Sequence, residues 1–237
     1  MNESTRSTTP APLSEQELGE LGALGSCSVA NAIEYFSHHL RNEGYTADEV
    51  ICRFPQMPPM VGYACTLQVR SSAPPSKGKT YFESTRWWDA LLATPKPRIL
   101  IIQDMDRNPG VGALVGEVHA EILKALGCIG VVTNGAVRDL ERVKLLNFQM
   151  YSGNLSVSHA YSHIVHIGGR VHIGGLEINP GDLLHGDLHG IVRVPRELAS
   201  RIPTIAEAMR QKEARITTYC QSPDFSIEGL RHLLAEE

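Results

Sequence analysis

The stretch Pro109–Leu140, PGVGALVGEVHAEILKALGCIGVVTNGAVRDL, carries the strongest structural signals in this sequence of 237 residues. A glycine-rich turn opens a run of helical period, and Gly127 follows at the place where glycine commonly ends a helix. The short β-branched run Ile129–Thr133 is typical of a buried strand. The stretch therefore predicts one helix–strand unit of an α/β fold. The apolar face of its helix is predicted to consist of Val118, Ile122, Ala125 and Leu126.

Charged residues lie at the edges of this helix–strand unit. Glu117 stands at the start of the helix, and Arg138-Asp139 comes just past the strand. Asn134-Gly135 predicts a turn after the strand, and a second helix is predicted to start near Ala136. Because the helix and strand bring the chain back on itself, we expect the acids at positions 117 and 139 to face one cleft.

These residue types suit a small acidic ligand together with a divalent metal. A helix N-terminus has free N–H groups that bind carboxylates, and ligands of open α/β sheets bind outside the carboxyl ends of strands. Arg138 can hold a carboxylate through two parallel hydrogen bonds, and Asp139 can hold a hard cation such as Mg²⁺. The alternative is that Arg138-Asp139 is a charge pair at a helix start and that Glu117 is an ordinary first-turn acid.

The ten histidines raise a second metal hypothesis. Two pairs have the spacing of ligands on one face of a helix, namely His159/His163 and His185/His189. Neither segment is predicted to be helical, so the favoured interpretation is that these histidines are exposed or hydrogen-bonded. His119, two residues after Glu117, could face the cleft as an acid or base near neutral pH.

Composition and charge argue against several classes of protein. A net charge of −4 and an isoelectric point near 6.2 disfavour a protein that binds nucleic acid directly through a basic face. No apolar run approaches the ~18 residues of a membrane span, and the polar N-terminus lacks the apolar core of a signal peptide. We therefore expect a cytoplasmic protein that acts neither on a membrane nor directly on nucleic acid.

The order of predicted elements indicates a layered α/β domain. Residues 1–12, rich in Ser, Thr and Pro, predict a disordered arm, and residues 13–237 are predicted to form a single domain with a C-terminal helical extension. Short strands are predicted in the middle of the chain, between helices at both ends. Ser26 or Ser28 is the predicted cap of the second helix. The predicted helices outside the central stretch include Ser14–Leu24, Ser28–Leu40, Thr85–Leu92, Arg196–Ser200, Ile205–Ala214 and Phe225–Glu237.

Two segments resemble a known family. GALVGEVHAEILKALGCIGVVTNGAVRD resembles the signature of the RraA-like family, and VHIGGLEINPGDLLHGDLHGIVRVP (Val171–Pro195) resembles a second segment of that family. The resemblance covers about Leu24 to Pro195. The family includes 4-hydroxy-4-methyl-2-oxoglutarate aldolases, which also decarboxylate oxaloacetate, and protein regulators of ribonuclease E. The resemblance implies a layered β/β/α swivelling sandwich that assembles as a trimer or a dimer of trimers, with the active site at a subunit interface.

The resemblance also implies roles for individual positions. Arg138 matches the arginine that binds the substrate carboxylate, and Asp139 matches a ligand of Mg²⁺ or Mn²⁺. Glu117 stands where aldolase members commonly have aspartate, which implies a metal ligand that acts directly or through water. Glu213 is the candidate for a glutamate supplied by the neighbouring subunit. The backbone N–H groups expected to receive the oxo-acid carboxylate are those of Glu117, Val118 and His119.

The activity implied by the resemblance is that of a metal-dependent lyase. It would cleave a 2-oxo (di)carboxylic acid to pyruvate through an enolate, by aldol cleavage or by decarboxylation of oxaloacetate. A metal-bound water held by Glu117 or Asp139 would take the hydroxyl proton in aldol cleavage. Two alternatives stay open: a non-enzymatic regulator that binds a ribonuclease or helicase, and another enolate reaction on an oxo-acid, by a dehydratase or tautomerase. Regulators often lack the acid after the arginine, so Asp139 favours an enzyme.

Overall fold

The computed structural model describes residues 11–47, 49–76 and 85–235. The predicted arm at residues 1–12 thus lies almost entirely outside the described residues, as do the last two residues of the predicted domain 13–237. The described residues form a mixed α/β structure, in which a large mixed sheet is flanked by helices from both ends of the chain. The predicted fold class, a layered α/β sandwich with flanking N- and C-terminal helices, is confirmed.

Helices occupy both ends of the chain and its centre. Ser14 caps the first helix: its side chain accepts the N–H of Glu17, whose carboxylate accepts the N–H of Ser14 in return. The helices of the described residues are α1 (Glu15–Gly22), α2 (Ser26–Tyr35), α3 (Trp87–Ala93), α4 (Glu117–Ala125), α5 (Leu140–Lys144), α6 (Ile202–Cys220) and α7 (Ile227–Ala235).

The strands lie mostly in the middle of the chain, as predicted. In the described residues they are β1 (Ile51–Cys52), β2 (Met60–Arg70), β3 (Arg98–Asp104), β4 (Ala113–Val115), β5 (Cys128–Val137), β6 (Gln149–Leu155), β7 (His163–Ile167), β8 (Val171–Ile173), β9 (Leu176–Ile178), β10 (Leu183–Asp187) and β11 (Gly190–Val194). The main sheet has the order β1-β6-β5-β3-β2-β10-β11, while β8 and β9 form a separate hairpin.

The centre of the main sheet is parallel. Strands β6, β5, β3 and β2 run in one direction, and β4 joins the end of β5 in the same direction. The flanking strands β1, β10 and β11 are antiparallel to their neighbours. The carboxyl ends of β4, β5 and β6 therefore meet at one edge, which is where ligands of α/β sheets commonly bind.

The turn predicted at Asn134-Gly135 is wrong, because both residues lie inside β5. The strand pairs with β3 up to Thr133 and with β4 from Ala136. Between these two partners, the Asn134 side chain takes the place of a neighbouring strand: it accepts the Asp104 N–H at 2.7 Å and donates to the Asp104 carbonyl at 3.1 Å. The second helix consequently begins at position 140 and not near Ala136.

The predicted apolar face of α4 is also wrong. The buried residues are His119, Ala120 and Leu123, whereas Val118 is 56% exposed. The helix therefore turns a stripe one position away from the predicted one toward the sheet, and the N–H of its first residue contacts Asp139, two residues past the end of β5. Gly127 ends the helix as predicted, with a φ of +81° that favours glycine.

Two further predictions about helix ends need correction. Helix α2 begins at Ser26, two residues earlier than predicted, and its N-cap is Gly25, so no serine side chain caps it. The Ser26 hydroxyl donates instead to the Asp187 carboxylate at 2.5 Å. The segment 196–200 forms turns and not a helix, and the long helix α6 starts at Ile202.

Buried apolar side chains fill both sides of the main sheet. One cluster lies between the sheet and α3, α4 and α5, a second lies under α1, α2 and α6, and a third lies under the β8–β9 hairpin. The second cluster ties the helices of both chain ends to β2 and β11. In the part of the chain that the structure describes, no helix is both long enough and apolar enough to cross a membrane.

Candidate functional site

The candidate site lies where β4, β5 and β6 end side by side. Strand β4 leads through Gly116 into α4, β5 leads into Arg138-Asp139, and β6 leads into the loop 156–162. The residues predicted from the sequence to face one cleft are thus brought to one edge of the sheet. A cavity of about 400 Å³ opens here, lined by Val137, Arg138, Asp139, Leu140, Glu141, Leu155, Ser156 and Val157.

The Asp139 carboxylate lies at the N-terminus of α4. Its Oδ2 accepts the backbone N–H of Glu117 at 3.1 Å, so the acid is held by the first residue of the helix. Asp139 itself adopts the left-handed conformation, with φ 57° and ψ 38°, which aspartate tolerates better than most residues. A Cβ at Gly116 would collide with Oδ2, which explains the need for glycine before the helix.

Arg138 is the second partner of this carboxylate. Its Nε donates to Asp139 Oδ1 at 3.2 Å, and the two side chains are 28% and 33% exposed. Burial by itself would raise the pKa of Asp139, but the Glu117 N–H, the Arg138 guanidinium and nearby His159 together hold that pKa below its usual value. The site therefore presents an ionised, partly exposed carboxylate beside an arginine.

Glu117 meets Asp139 through its backbone and not through its side chain. The Glu117 carboxylate instead forms an ion pair with Arg142, with 3.0 Å between Oε1 and Nε. The sequence analysis missed Arg142, since an arginine in a short charged helix carries no signal of its own. The structure thus joins α4 and α5 by two links: the backbone contact of Glu117 to Asp139 and its side-chain pair with Arg142.

Two histidines, one on α4 and one in the loop after β6, belong to the elements that meet at this edge. His119 is buried, and burial, with a further contribution from nearby His159, lowers its pKa to about 4. Its imidazole is consequently neutral at physiological pH. The Nδ1 of His159 lies 2.6 Å from the Ala113 carbonyl oxygen on β4. The favoured interpretation of His159 from the sequence, an exposed or hydrogen-bonded residue, agrees with this contact, whose partner is the first residue of β4.

The predicted backbone donors occupy the first turn of α4. Residues 117, 118 and 119 are the first three of the helix, so their N–H groups have no intrahelical acceptor. The N–H of Glu117 is held by Asp139, which leaves Val118 and His119 as the first-turn positions that an external carboxylate could contact. The exposed side chain of Val118 marks the side of the helix that faces away from the core.

Glu213 lies on a different element from the other predicted residues. It is an exposed residue of α6, which packs on α2 at one end and on α7 at the other. The resemblance assigns this glutamate to the site of a neighbouring subunit, and its exposed position on α6 leaves it accessible to one.

The carboxylates at this edge fit a metal site that has few protein ligands. Within the described ranges, no group of three or more His, Cys, Asp or Glu residues is placed to enclose a metal ion. Mg²⁺ commonly uses only one or two protein carboxylates and completes its shell with water and substrate oxygens. The ionised Asp139 carboxylate, which borders the cavity, fits a site of that kind.

Comparisons with known proteins agree with this architecture. The chain is 30% identical over 138 residues to a Halalkalibacterium halodurans protein named, provisionally, 4-hydroxy-4-methyl-2-oxoglutarate aldolase; the match covers 58% of this chain and 60% of that protein. The chain spans less than two thirds of the length of the curated relatives it matches.

Solved structures show the same fold. An uncharacterized protein from Pseudomonas syringae superposes with a TM-score of 0.68 at 22% identity, over 95% of this chain and 98% of that one. Streptomyces coelicolor RraAS2, described as an unusual member of the RNase ES inhibitor RraA family, superposes with a TM-score of 0.67 at 20% identity, over 87% and 98% of the two chains. The model of one family, RraA-like (Aldolase/RraA), matches residues 26–193, and the chain belongs to that family.

Proposed function

We propose that this chain is a divalent-metal-dependent lyase that cleaves a 2-oxo (di)carboxylic acid to pyruvate. The observation that carries this proposal is the Asp139 carboxylate, held ionised between the α4 N-terminus and Arg138 and still one-third exposed beside a cavity. A purely structural ion pair has no need of an open cavity or of a left-handed aspartate. The name of the Halalkalibacterium halodurans relative supports the same reaction class.

Each residue of the site has a role in this reaction. Asp139 would hold Mg²⁺ or Mn²⁺, and Arg138 would orient the 2-oxo-acid and neutralise its carboxylate. The first-turn N–H groups of Val118 and His119 are further donors for that carboxylate, with the helix dipole behind them. A bound divalent ion supplies Lewis-acid stabilisation of the negative charge that develops on the keto oxygen when the C3–C4 bond breaks.

Glu117 and His119 support this arrangement. Glu117 anchors α5 through Arg142 and keeps the start of α4 against Asp139. His119 is buried and its pKa is lowered to about 4, so it adds no positive charge near the start of α4 at physiological pH. No lysine is required, because charge on the keto oxygen is stabilised electrostatically and not through a covalent adduct.

The experiment measures pyruvate release from two substrates, oxaloacetate and 4-hydroxy-4-methyl-2-oxoglutarate, with and without Mg²⁺ or Mn²⁺. We expect metal-dependent release that falls by at least ~100-fold in Asp139→Asn. Glu121→Gln, a change of an exposed acid on the same helix α4, is the matched control and should keep full activity. Release no faster than in the metal-only blank, or full activity in Asp139→Asn, would refute the proposal.

We also propose that the chain acts as a trimer or a dimer of trimers in the cytoplasm and that Glu213 reaches the site of a neighbouring subunit. In support, α6 is exposed along most of its length and carries Glu213 on its exposed surface. Light scattering gives the oligomeric state. In a mixed oligomer of Glu213→Gln and Asp139→Asn chains, activity above that of either variant alone would support the shared site, and additive inactivity would oppose it.

A further inference from the structure

Two exposed apolar side chains border the candidate cavity beside Arg138-Asp139. Leu155, the last residue of β6, is paired in register with Val137 of β5, and the Ser156 N–H donates to the Val137 carbonyl at 3.1 Å. The backbone after β6 therefore continues alongside the end of β5. Leu155 and Val157, here called the apolar wall, are 54% and 95% exposed, and both line the cavity.

The polar side chain between the two residues of the wall is engaged by the protein itself. The Ser156 hydroxyl lies 3.1 Å from the Val111 carbonyl oxygen and 3.0 Å from the Ser158 carbonyl oxygen, and it accepts the Ser158 N–H at 3.2 Å. A hydroxyl has one proton to donate, and here that proton is directed to the backbone. Two further lining residues, Val137 and Leu140, extend the apolar surface. This part of the cavity therefore suits an apolar ligand group.

The charges around the cavity suit one ligand carboxylate better than two. Among the eight described residues that line it, Arg138 is the cation, whereas Asp139 and Glu141 are acids. The next cation along the chain, Arg142, pairs with Glu117 at 3.0 Å. A second ligand carboxylate would meet the wall and the negative charge of Glu141. A carboxylate that loses water without gaining a counter-charge is strongly disfavoured.

The position of the wall determines which part of a bound substrate would reach it. With the 2-oxo-carboxylate end held at Arg138 and Asp139, the carbon chain beyond C3 extends into the remaining cavity, which the wall borders. The cavity volume of about 400 Å³ is in the range of small-molecule sites. An apolar group on C4 would cover apolar surface that is exposed in the chain itself, and this burial favours binding.

We propose that this chain acts on 4-hydroxy-2-oxo monocarboxylic acids that carry an apolar group at C4, and that the apolar wall selects them. This inference rests on the proposed lyase function and names its substrate class. The C3–C4 bond breaks, its electron pair passes into the pyruvate enolate, and the C4–O bond becomes the carbonyl of an aldehyde or ketone. The proton lost from the C4 hydroxyl is balanced by the proton that C3 of pyruvate gains, so atoms and charges balance.

The first test compares two acids that lack the C4 hydroxyl and therefore bind without being cleaved. 2-Oxopentanoate and 2-oxoglutarate have the same carbon chain and differ only in a terminal methyl group against a carboxylate. Titration calorimetry of the full chain with Mg²⁺ measures both affinities. We expect 2-oxopentanoate to bind at least ~10-fold more tightly. Equal or tighter binding of 2-oxoglutarate, or binding of neither acid, would overturn the inference.

Three variants show whether the wall causes this preference. Val157→Arg adds a cation and should raise the affinity for 2-oxoglutarate by ~10-fold, while Leu155→Asn removes apolar surface and should weaken 2-oxopentanoate binding by about fivefold. The matched control is Leu188→Arg, which adds the same charge to an exposed leucine between β10 and β11, outside the cavity lining. It should leave both affinities unchanged. A preference that survives both wall variants would overturn the inference.

Turnover tests the substrate class in the reaction itself. 4-Hydroxy-4-methyl-2-oxopentanoate, which is cleaved to pyruvate and acetone, differs from 4-hydroxy-4-methyl-2-oxoglutarate only in a methyl group in place of the C5 carboxylate. The ratio of their kcat/KM values should fall by ~10-fold or more from wild type to Val157→Arg, a comparison that cancels their different intrinsic reactivities. An unchanged ratio would overturn the substrate class and leave the lyase proposal intact. A chain that releases pyruvate from neither acid would overturn both.

A neighbouring copy of the chain is the alternative occupant of the wall. Light scattering of wild type and Leu155→Asn separates the two, because loss of a subunit contact lowers the oligomeric state and loss of a substrate contact does not. An unchanged oligomeric state together with a weakened preference for 2-oxopentanoate supports the inference. A smaller oligomer in Leu155→Asn would overturn it, since the wall would then be a subunit contact.

Discussion

Two aspartates of this protein, Asp139 and Asp187, each place a carboxylate at the N-terminus of a helix preceded by glycine. Asp187 accepts the Ser26 N–H and hydroxyl and the N–H and Nδ1 of His189, at 2.5–3.2 Å, and its side chain is 11% exposed. Asp139 has two partners, at 3.1 and 3.2 Å, and is 33% exposed. The Asp187 carboxylate thus accepts four hydrogen bonds from the protein, whereas the Asp139 carboxylate accepts two.

The difference separates a structural acid from an acid that can bind a ligand. Four short hydrogen bonds occupy the oxygens of Asp187, which therefore serves to fix α2 to the end of β10. Asp139 keeps acceptor capacity and solvent access in a left-handed conformation. A helix N-terminus with a carboxylate thus says little about function until the remaining contacts of that carboxylate are known.

The largest expected effect comes from removing the charge of each aspartate in turn. Asp139→Asn should lower metal-dependent pyruvate release by at least ~100-fold, because its carboxylate is the proposed metal ligand. Asp187→Asn should leave kcat within about threefold in the folded fraction, because its oxygens face only the protein. Initial rates at saturating oxaloacetate check both. Equal losses of activity in the two variants would show that the difference in hydrogen bonding between the two aspartates has no bearing on function.

The two glycines provide the next test. At Gly116 a Cβ would collide with the Asp139 carboxylate, whereas at Gly25 it would lie 3.6 Å from Asp187 Oδ2, an ordinary contact. Gly116→Ala should displace the Asp139 side chain and reduce activity by ~10-fold to 100-fold, since small displacements of catalytic groups have effects of this size. Gly25→Ala should have little effect on rate. Full activity in Gly116→Ala would show that catalysis does not need the close approach of the Gly116 backbone to the Asp139 carboxylate.

Stability should follow the opposite order. Asp187→Asn weakens hydrogen bonds to a charged, nearly buried acceptor and is expected to lower the free energy of unfolding by about 2 kcal/mol. Asp139→Asn should change it by less than about 0.5 kcal/mol, because the site is partly exposed and asparagine also tolerates the left-handed conformation. Denaturant melts of both variants give these values. A larger loss for Asp139→Asn would reverse the structural assignment of the two acids.

The contribution of Asp187 should depend on pH. Burial would raise the pKa of Asp187, but the Ser26 hydroxyl and N–H, and then His189, hold it below its usual value in the folded chain. The stabilisation is therefore complete above the unfolded pKa of about 4 and is lost as the pH falls through the lower folded pKa. The gap in melting temperature between wild type and Asp187→Asn should be widest near neutral pH and should narrow below about pH 4. A gap that does not change with pH would contradict this.

The smallest effect is expected at the ion pair that joins α4 and α5. Arg142 and Glu117 are 66% and 38% exposed, and exposed pairs of this kind contribute less than about 1 kcal/mol. Arg142→Gln should cost only a few tenths of a kcal/mol, and the cost should decrease at high salt because exposed charges are screened. Denaturant unfolding of wild type and Arg142→Gln at low and high salt measures this difference in the free energy of unfolding. A large loss of stability that does not depend on salt would show that this pair contributes more than an exposed ion pair does.

Much of the site was predictable because its signals are local. Arg138-Asp139 follows a buried β-branched strand, and Glu117 opens a helix, so their meeting at the carboxyl edge of a parallel sheet follows from sequence order and strand geometry. Gly127 ends α4 as predicted, and the residues Asn179-Pro180-Gly181-Asp182, where Gly181 has a φ of +84°, have the composition of a turn and separate β9 from β10.

Other features depend on contacts between distant residues. Asn134-Gly135 has the composition of a turn but stays in β5, because the Asn134 amide pairs with the Asp104 backbone thirty residues earlier. His159 contacts the Ala113 carbonyl only because the fold brings the loop 156–162 across the sheet to β4. Neither partner can be identified from the local sequence.

The sequence by itself therefore determined the central helix–strand unit, the fold class and the chemical groups at the end of β5, since period, glycine placement and strand composition act over a few residues. Only the tertiary structure decided that Val118 is exposed, and that the Asp187 carboxylate accepts four hydrogen bonds while the Asp139 carboxylate accepts two. Those outcomes depend on which side chains distant elements bring within hydrogen-bond distance, and that is set by the packing of the whole sheet.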